Sequence, residues 1–171
     1  SESLVYMPNS YMVNDSQMTP SSRNFTRENF ELPGKGFVFC CFNSIYKITP
    51  ETFTGWMNIL SKVDNSVLWL SKTDNTTATQ NLKKEAKKLG IAQNRLIFAS
   101  RLDAKEDHLK RIQSADLFLD TLPFNAHTTT SDALRVGLPV LTRIGESFTS
   151  RVAASLLNAV NLPELITSSQ E

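Results

Sequence analysis

The sequence lacks most of the residue sets that mark common catalytic and binding motifs. Its 171 residues include two cysteines, adjacent as Cys40-Cys41, and two histidines, His108 and His127. There is no Cys-x-x-Cys and no His-x-x-x-His, so nothing has the spacing of a metal site. Neighbouring strand residues point to opposite faces, so the two cysteines are not expected to pair with each other. Two buried, unpaired thiols suit a reducing compartment, and a cytoplasmic location is expected. No Asp-x-Asp offers paired carboxylates to a divalent cation. The absence of Gly-x-Gly-x-x-Gly and of Gly-x-x-x-x-Gly-Lys weakens the dehydrogenase and P-loop readings. Without Gly-x-Ser-x-Gly there is no nucleophile elbow, and His127 beside Ser131 and Asp132 is proximity in sequence, not triad geometry.

Charge of one sign is missing too. Eighteen basic residues against seventeen acidic leave a net charge of +1, which argues against nucleic acid as the main partner. No apolar run approaches the roughly 20 residues of a membrane helix. The first 15 residues lack the charged and apolar blocks of a secretory leader. The start at Ser1 leads us to expect a piece of a longer protein.

What is present is alternation. Residues 1–33 read weakly, with Leu4-Val5-Tyr6-Met7 as a possible strand and a polar, linker-like stretch from Asn14 to Asn29. From Phe37 the pattern is regular. Apolar runs of strand length occur at 37–42, 67–70, 95–99, 117–119 and 139–142. Helical spacing follows each of them. The first helix has Thr49 ahead of Pro50 at its opening position and Phe53, Trp56, Met57, Leu60 and Val63 on one stripe. The second, near 78–89, sets Leu82, Ala86 and Leu89 against a solvated lysine face and stops at Gly90. The third runs from Ala104 to about Ser114 with Asp103 as its cap. The fourth spans Thr128 to Val136 and stops at Gly137, and the fifth spans about Thr149 to Ala159. Five strands alternating with five helices predict an α/β fold, a parallel sheet with helices on both faces. At 171 residues one such core is expected.

In open sheets of this kind ligands bind beyond the carboxyl ends of the strands. Lys47, Lys105 and Arg111 supply positive charge there. His127, Thr128 and Thr129 supply donors at a helix start, where free N–H groups and the helix dipole favour an anion. The alternative for that start is an ordinary cap by Thr128 or Thr129. Asp132 follows Thr128 by four residues, on the same side of the helix, and can accept from a pair of hydroxyls. The set suits a nucleotide: cations and a helix start for a diphosphate, a carboxylate for a ribose. Lys105 and His108 share a helix face, where a flat imidazole can stack on a base. On spacing alone a plain charged helix surface is the better account of 105–111.

Several segments, in order, resemble the O-GlcNAc transferase/SPINDLY family of glycosyltransferases. They are Phe42-Asn43-Ser44-Ile45-Tyr46-Lys47-Ile48-Thr49-Pro50, Asn65-Ser66-Val67-Leu68-Trp69-Leu70, Ala104-Lys105-Glu106-Asp107-His108-Leu109-Lys110-Arg111, Leu119-Asp120-Thr121 with His127-Thr128-Thr129, and Ser150-Arg151-Val152-Ala153-Ala154-Ser155. The likeness runs from about Phe37 to about Ile166. Residues 1–12 look similar to the end of the family's first catalytic lobe, while 15–33 match poorly.

The resemblance implies a GT-B enzyme with two Rossmann-like lobes, usually preceded by tetratricopeptide repeats. Such enzymes transfer a sugar from a nucleotide donor to Ser or Thr hydroxyls of proteins without a metal or other cofactor. Residues 34–171 would be the second lobe, and 1–33 the end of the preceding lobe with its linker. By resemblance Lys47 contacts the diphosphate and stabilises the leaving group, and Ala104 (through its backbone) and Arg111 hold the uracil. His108 stacks on the uracil, Lys105 and Asp132 meet the ribose, and His127, Thr128 and Thr129 hold the diphosphate and adjoining sugar. Ser44 stands where animal members carry a glutamine that reaches the phosphates. The family's first-lobe histidines lie outside this chain, so no general base is expected in it and the chain alone is expected to be inactive. His127 ahead of the threonines favours UDP-GlcNAc as donor. The alternatives are a SPINDLY-like enzyme using GDP-fucose, a non-catalytic UDP-sugar-binding module, and an epimerase or small-molecule glycosyltransferase of the same fold.

Overall fold

The computed structural model describes residue 3 and residues 5–169. Six parallel strands form the sheet: β1 Phe37–Cys41, β2 Ser66–Ser71, β3 Leu96–Ala99, β4 Leu117–Leu119, β5 Val140–Arg143 and β6 Ile166–Thr167. Helices join them in turn: α1 Pro50–Lys62, α2 Thr76–Lys88, α3 Lys105–Ile112, α4 Thr128–Arg135 and α5 Val152–Ala159. The strand order is β3-β2-β1-β4-β5-β6. Right-handed crossovers then put α1 and α2 on one face and α3, α4 and α5 on the other. Contacts of α4 with both α3 and α5 agree with that layering.

The local reasons are legible at the helix ends. Thr49 caps α1, its hydroxyl accepting from the Thr52 amide at 3.2 Å, and Pro50 opens the helix where an N–H would have no partner. Asn75 caps α2 by accepting from Ala78. Gly90 and Gly137, both at positive φ, stop α2 and α4. β1 and β2 read as continuous apolar runs because both faces are covered, and Val38, Cys40, Leu68 and Trp69 have no exposed surface. Each large apolar side chain buried this way contributes about 1.5–3 kcal/mol. Cys40 and Cys41 are free and buried in β1, and burial pushes both thiols up.

Four expectations need correction. A sixth strand exists: Ile166 and Thr167 pair with Thr142 and Arg143, a ladder too short to leave a hydrophobic pattern. Asp103 does not cap α3; Ala104 holds that position, with no side-chain cap bond. Residues 148–150 form a 3₁₀ turn, so α5 begins at Val152. Residues 5–7 are not a strand but exposed chain, and Leu4 lies outside the described residues.

Residues 10–27 form a strap across the second helical face. Ser10 meets Ser155 of α5 at 3.4 Å, Tyr11 meets His127 at 3.0 Å, and the Ser131 hydroxyl of α4 donates to Asn14. Arg135 donates to the Met18 carbonyl, and Arg23 pairs with Asp107 of α3 at 2.6 Å. Arg27 closes the strap on the Ser114 carbonyl and on Asp116, whose carboxylate also receives the Val38 amide at the start of β1.

Candidate functional site

β1 and β4 are neighbours, and the chain leaves them in opposite directions across the sheet. This is the switch point where open α/β sheets bind ligands. Two polar segments emerge there, Asn43-Ser44 after β1 and Asp120-Thr121 after β4. The Asp120 carboxylate is their hub. It accepts from the amides of Thr121 at 2.7 Å and Ala126 at 2.6 Å, from Asn43 Nδ2 at 3.3 Å, and from the Thr142 hydroxyl at 2.7 Å. Desolvation outweighs these four donors and pushes its carboxyl up to about 6. Asn43 Nδ2 also donates to Thr121 Oγ1 at 2.8 Å, and its Oδ1 accepts from Thr129 Oγ1 at 2.5 Å. β1, the 121–126 loop and the head of α4 are thus tied into one unit.

Lys47 sits at the end of the 3₁₀ turn Ile45–Lys47. Its Nζ donates to the Asn125 carbonyl at 3.0 Å and lies 3.8 Å from the centre of the Phe124 ring. Burial lowers its pKa, opposed by the Asp120 charge. His127 stacks on Phe124 with centroids 5.1 Å apart and planes at 24°.

At α4 the capping alternative is not what the structure adopts. His127 is the N-cap, without a side-chain cap bond. Thr129 turns its hydroxyl to Asn43, Thr130 bonds back to the Ala126 carbonyl, and Thr128 stays exposed. The first helical N–H groups are therefore left for a ligand or water.

A second group gathers at the start of α3. Arg111, buried, donates through one terminal nitrogen to the Ser100 carbonyl and through Nε to His108 Nδ1 at 3.1 Å. Nδ1 of His108 is therefore unprotonated, and burial with Arg111 and Lys105 nearby pulls that imidazole down to about 4. His108 meets Phe42 edge-on at 5.5 Å, and the Arg111 guanidinium lies 5.1 Å from the same ring. Lys105 forms an ion pair with the mostly buried Asp132 of α4. A cavity of about 420 Å³ opens here, lined among others by Lys72, Ala99, Lys105, His108 and Arg111.

The predicted residues thus fall into two groups on one rim. Lys47, His127, Thr128 and Thr129 lie at the switch point, and Ala104, Lys105, His108 and Arg111 at the head of α3. Asp132 joins them through Lys105. Sequence reasoning missed Asn43, Asp120 and Asn125. A signal existed for Asp120, a carboxylate at the exit of an apolar strand, and none for Asn125. The buried Asn125 Oδ1 has no hydrogen-bond partner. Among the described residues no three His, Cys, Asp or Glu side chains group as metal ligands, and no helix is long and apolar enough to cross a membrane.

Strand order, switch-point polar cluster and uncapped helix start define a Rossmann-like lobe of the GT-B kind. The comparisons are specific. The profile of Glycosyl transferase family 41 matches residues 17–171, and the chain belongs to that family. It is 40% identical over 146 residues to a UDP-N-acetylglucosamine--peptide N-acetylglucosaminyltransferase of Caenorhabditis elegans, covering 85% of this chain and 12% of that protein. It superposes on the K341M mutant of Thermobaculum terrenum O-GlcNAc transferase with a TM-score of 0.75 and 33% identity, covering 79% of this chain and 26% of the other. The C-terminal domain of a Francisella tularensis glycosyl transferase group 1 protein shares the fold at TM-score 0.54 and 13% identity, over 86% and 87% of the two chains. The chain therefore corresponds to a small part of its full-length enzyme relatives, and to nearly all of an isolated C-terminal domain.

Proposed function

We propose that this chain is the donor-binding lobe of a protein O-GlcNAc transferase. That enzyme moves GlcNAc from UDP-GlcNAc to Ser or Thr hydroxyls of proteins, without a metal, in the cytoplasm. The observation that carries the reading is the Asn43–Asp120–Thr129 network, which fixes an uncapped α4 start beside Lys47. Anionic oxygens placed there meet backbone N–H groups, the exposed Thr128 hydroxyl and one ammonium, while the Thr129 hydroxyl stays on Asn43. These are the charges that a departing diphosphate needs as its bond to the sugar breaks. The cavity at α3 takes the base, with His108 as a neutral stacking face and Arg111 and the Ala104 backbone at its edge. Lys105 and Asp132, already paired, reach the ribose. The first catalytic lobe, bearing the general base and preceded by tetratricopeptide repeats, completes the enzyme.

Titrating UDP into the labelled protein tests the donor site. Shifts are expected to gather at Lys47, Lys105, His108 and Thr128, and shifts elsewhere would displace the assignment. In the full-length enzyme Lys47→Ala is expected to lower turnover by about 10²–10³ with the fold intact, as for other lost transition-state donors. Full activity would remove Lys47 from the mechanism. Ser44, exposed at the rim, favours a second reading in which the lobe binds UDP and no transfer follows. Labelling of acceptor proteins by the full-length enzyme separates the two. Tighter binding of GDP than of UDP would instead support a fucosyl donor.

A further inference from the structure

His127 is half-buried and held by three aromatic rings. Phe124 stacks on it, Phe148 stands edge-on with centroids 6.4 Å apart, and Tyr11 meets it at 84°. Its Nε2 lies 3.4 Å from the Thr149 carbonyl oxygen. A carbonyl only accepts, so Nε2 carries the proton. Nδ1 of the neutral ring then has a lone pair, and the Tyr11 hydroxyl, 3.0 Å away, is placed to donate to it. Burial, and the Lys47 charge with it, disfavours the doubly protonated ring.

We infer that Tyr11, on the strap that precedes the lobe, is a positioning residue for the donor site: its hydroxyl holds His127 as the neutral Nε2–H tautomer and so sets the head of α4. With both ring nitrogens engaged by the protein, His127 offers no free N–H to a diphosphate. It acts through its backbone, which as N-cap of α4 turns the chain so that the Thr128 and Thr129 amides lead the helix. The same strap is tied to α4 again through Asn14 and Met18. Its seating and the geometry of the anion site are therefore one coupled arrangement. The consequence for binding rests on the donor-site reading above; the tautomer does not.

Tyr11 is 44% exposed and packs on Phe148 with centroids 5.0 Å apart, so Tyr11→Phe keeps the ring contact and removes the hydroxyl without opening the core. The chain has two histidines, which makes ring ¹⁵N spectra simple to assign. In the unsubstituted protein His127 is expected to show a protonated Nε2 and an acceptor-type Nδ1. In Tyr11→Phe it is expected to move toward a mixture of tautomers, and its titration midpoint to rise toward the ordinary histidine value. The dissociation constant for UDP is expected to increase roughly three- to tenfold, the effect of one hydrogen bond. A protonated Nδ1 in the unsubstituted protein would overturn the tautomer assignment, and identical ring spectra in the two proteins would overturn the hold of Tyr11 on it. A changed spectrum with equal UDP affinity would overturn the positioning role. UDP binding to neither protein would overturn the donor reading and its consequence, while the spectra still judge the tautomer.

Discussion

At the scale of single residues the rim is organised by groups whose charge has been adjusted by burial. Asp120 is the clearest. Its carboxyl stands at about 6 in the folded protein, against a model-peptide value near 3.9 in the unfolded chain. The folded state therefore holds the Asp120 proton more tightly. This group's contribution to stability is full below the unfolded value and is lost as pH rises through about 6. Asp120→Asn keeps an oxygen for the Thr121 and Ala126 amides and removes the titration. Measured by chemical denaturation between pH 4 and 7, the unsubstituted protein is expected to lose stability relative to the variant as pH rises. Parallel curves would show that Asp120 is not the group responsible. His108 behaves oppositely: with its imidazole near 4, it is neutral throughout this range above about pH 5 and presents an uncharged face to a base.

At the scale of elements, α1 and β4 were legible in sequence because each is decided by its own residues. Thr49-Pro50 opens α1 whatever surrounds it, and a three-residue apolar run between turn residues makes β4. β6 was not legible, because two residues acquire strand geometry only by pairing with Thr142 and Arg143. The start of α4 was half legible. Hydroxyls at 128–130 marked a helix N-terminus, but none of them caps it, and Thr129 is drawn away by Asn43, 86 residues distant in the chain. Gly36 enters β1 at φ +116°, and a Cβ there would lie 2.1 Å from the Asn65 carbonyl oxygen. Gly36→Ala is expected to destabilise the fold by more than about 1 kcal/mol, since both the φ and the contact oppose it. Thr49→Ala is expected to cost about 1 kcal/mol through the lost cap. Denaturant midpoints read both, and a Gly36→Ala change no larger than that of Thr49→Ala would contradict the close approach to Asn65.

At the scale of the whole molecule, the donor reading predicts linkage. A ligand at one hundred times its dissociation constant stabilises the folded state by about 2.7 kcal/mol. For a chain of this length UDP is then expected to raise Tm by roughly 5–10 °C. No rise at saturating UDP would count against the pocket at α3 and the anion site together. Lys105→Glu, which breaks the pair with Asp132 joining the two halves of the rim, is expected to abolish most of that rise.

By itself the sequence determined the alternation of strands and helices, the parallel sheet and the rim residues carried by its ordered motifs. These are local matters of periodicity, caps and breakers, or short segments quoted whole. Only the tertiary structure decided the strand order β3-β2-β1-β4-β5-β6, which sets the switch point between β1 and β4. It also decided the choice of Asp120 and Asn43 as the hub, the pairing of Lys105 with Asp132, and the reach of Tyr11 to His127. Each of those contacts spans between 27 and 116 residues of chain, or depends on desolvation, which exists only once the sheet has closed over it.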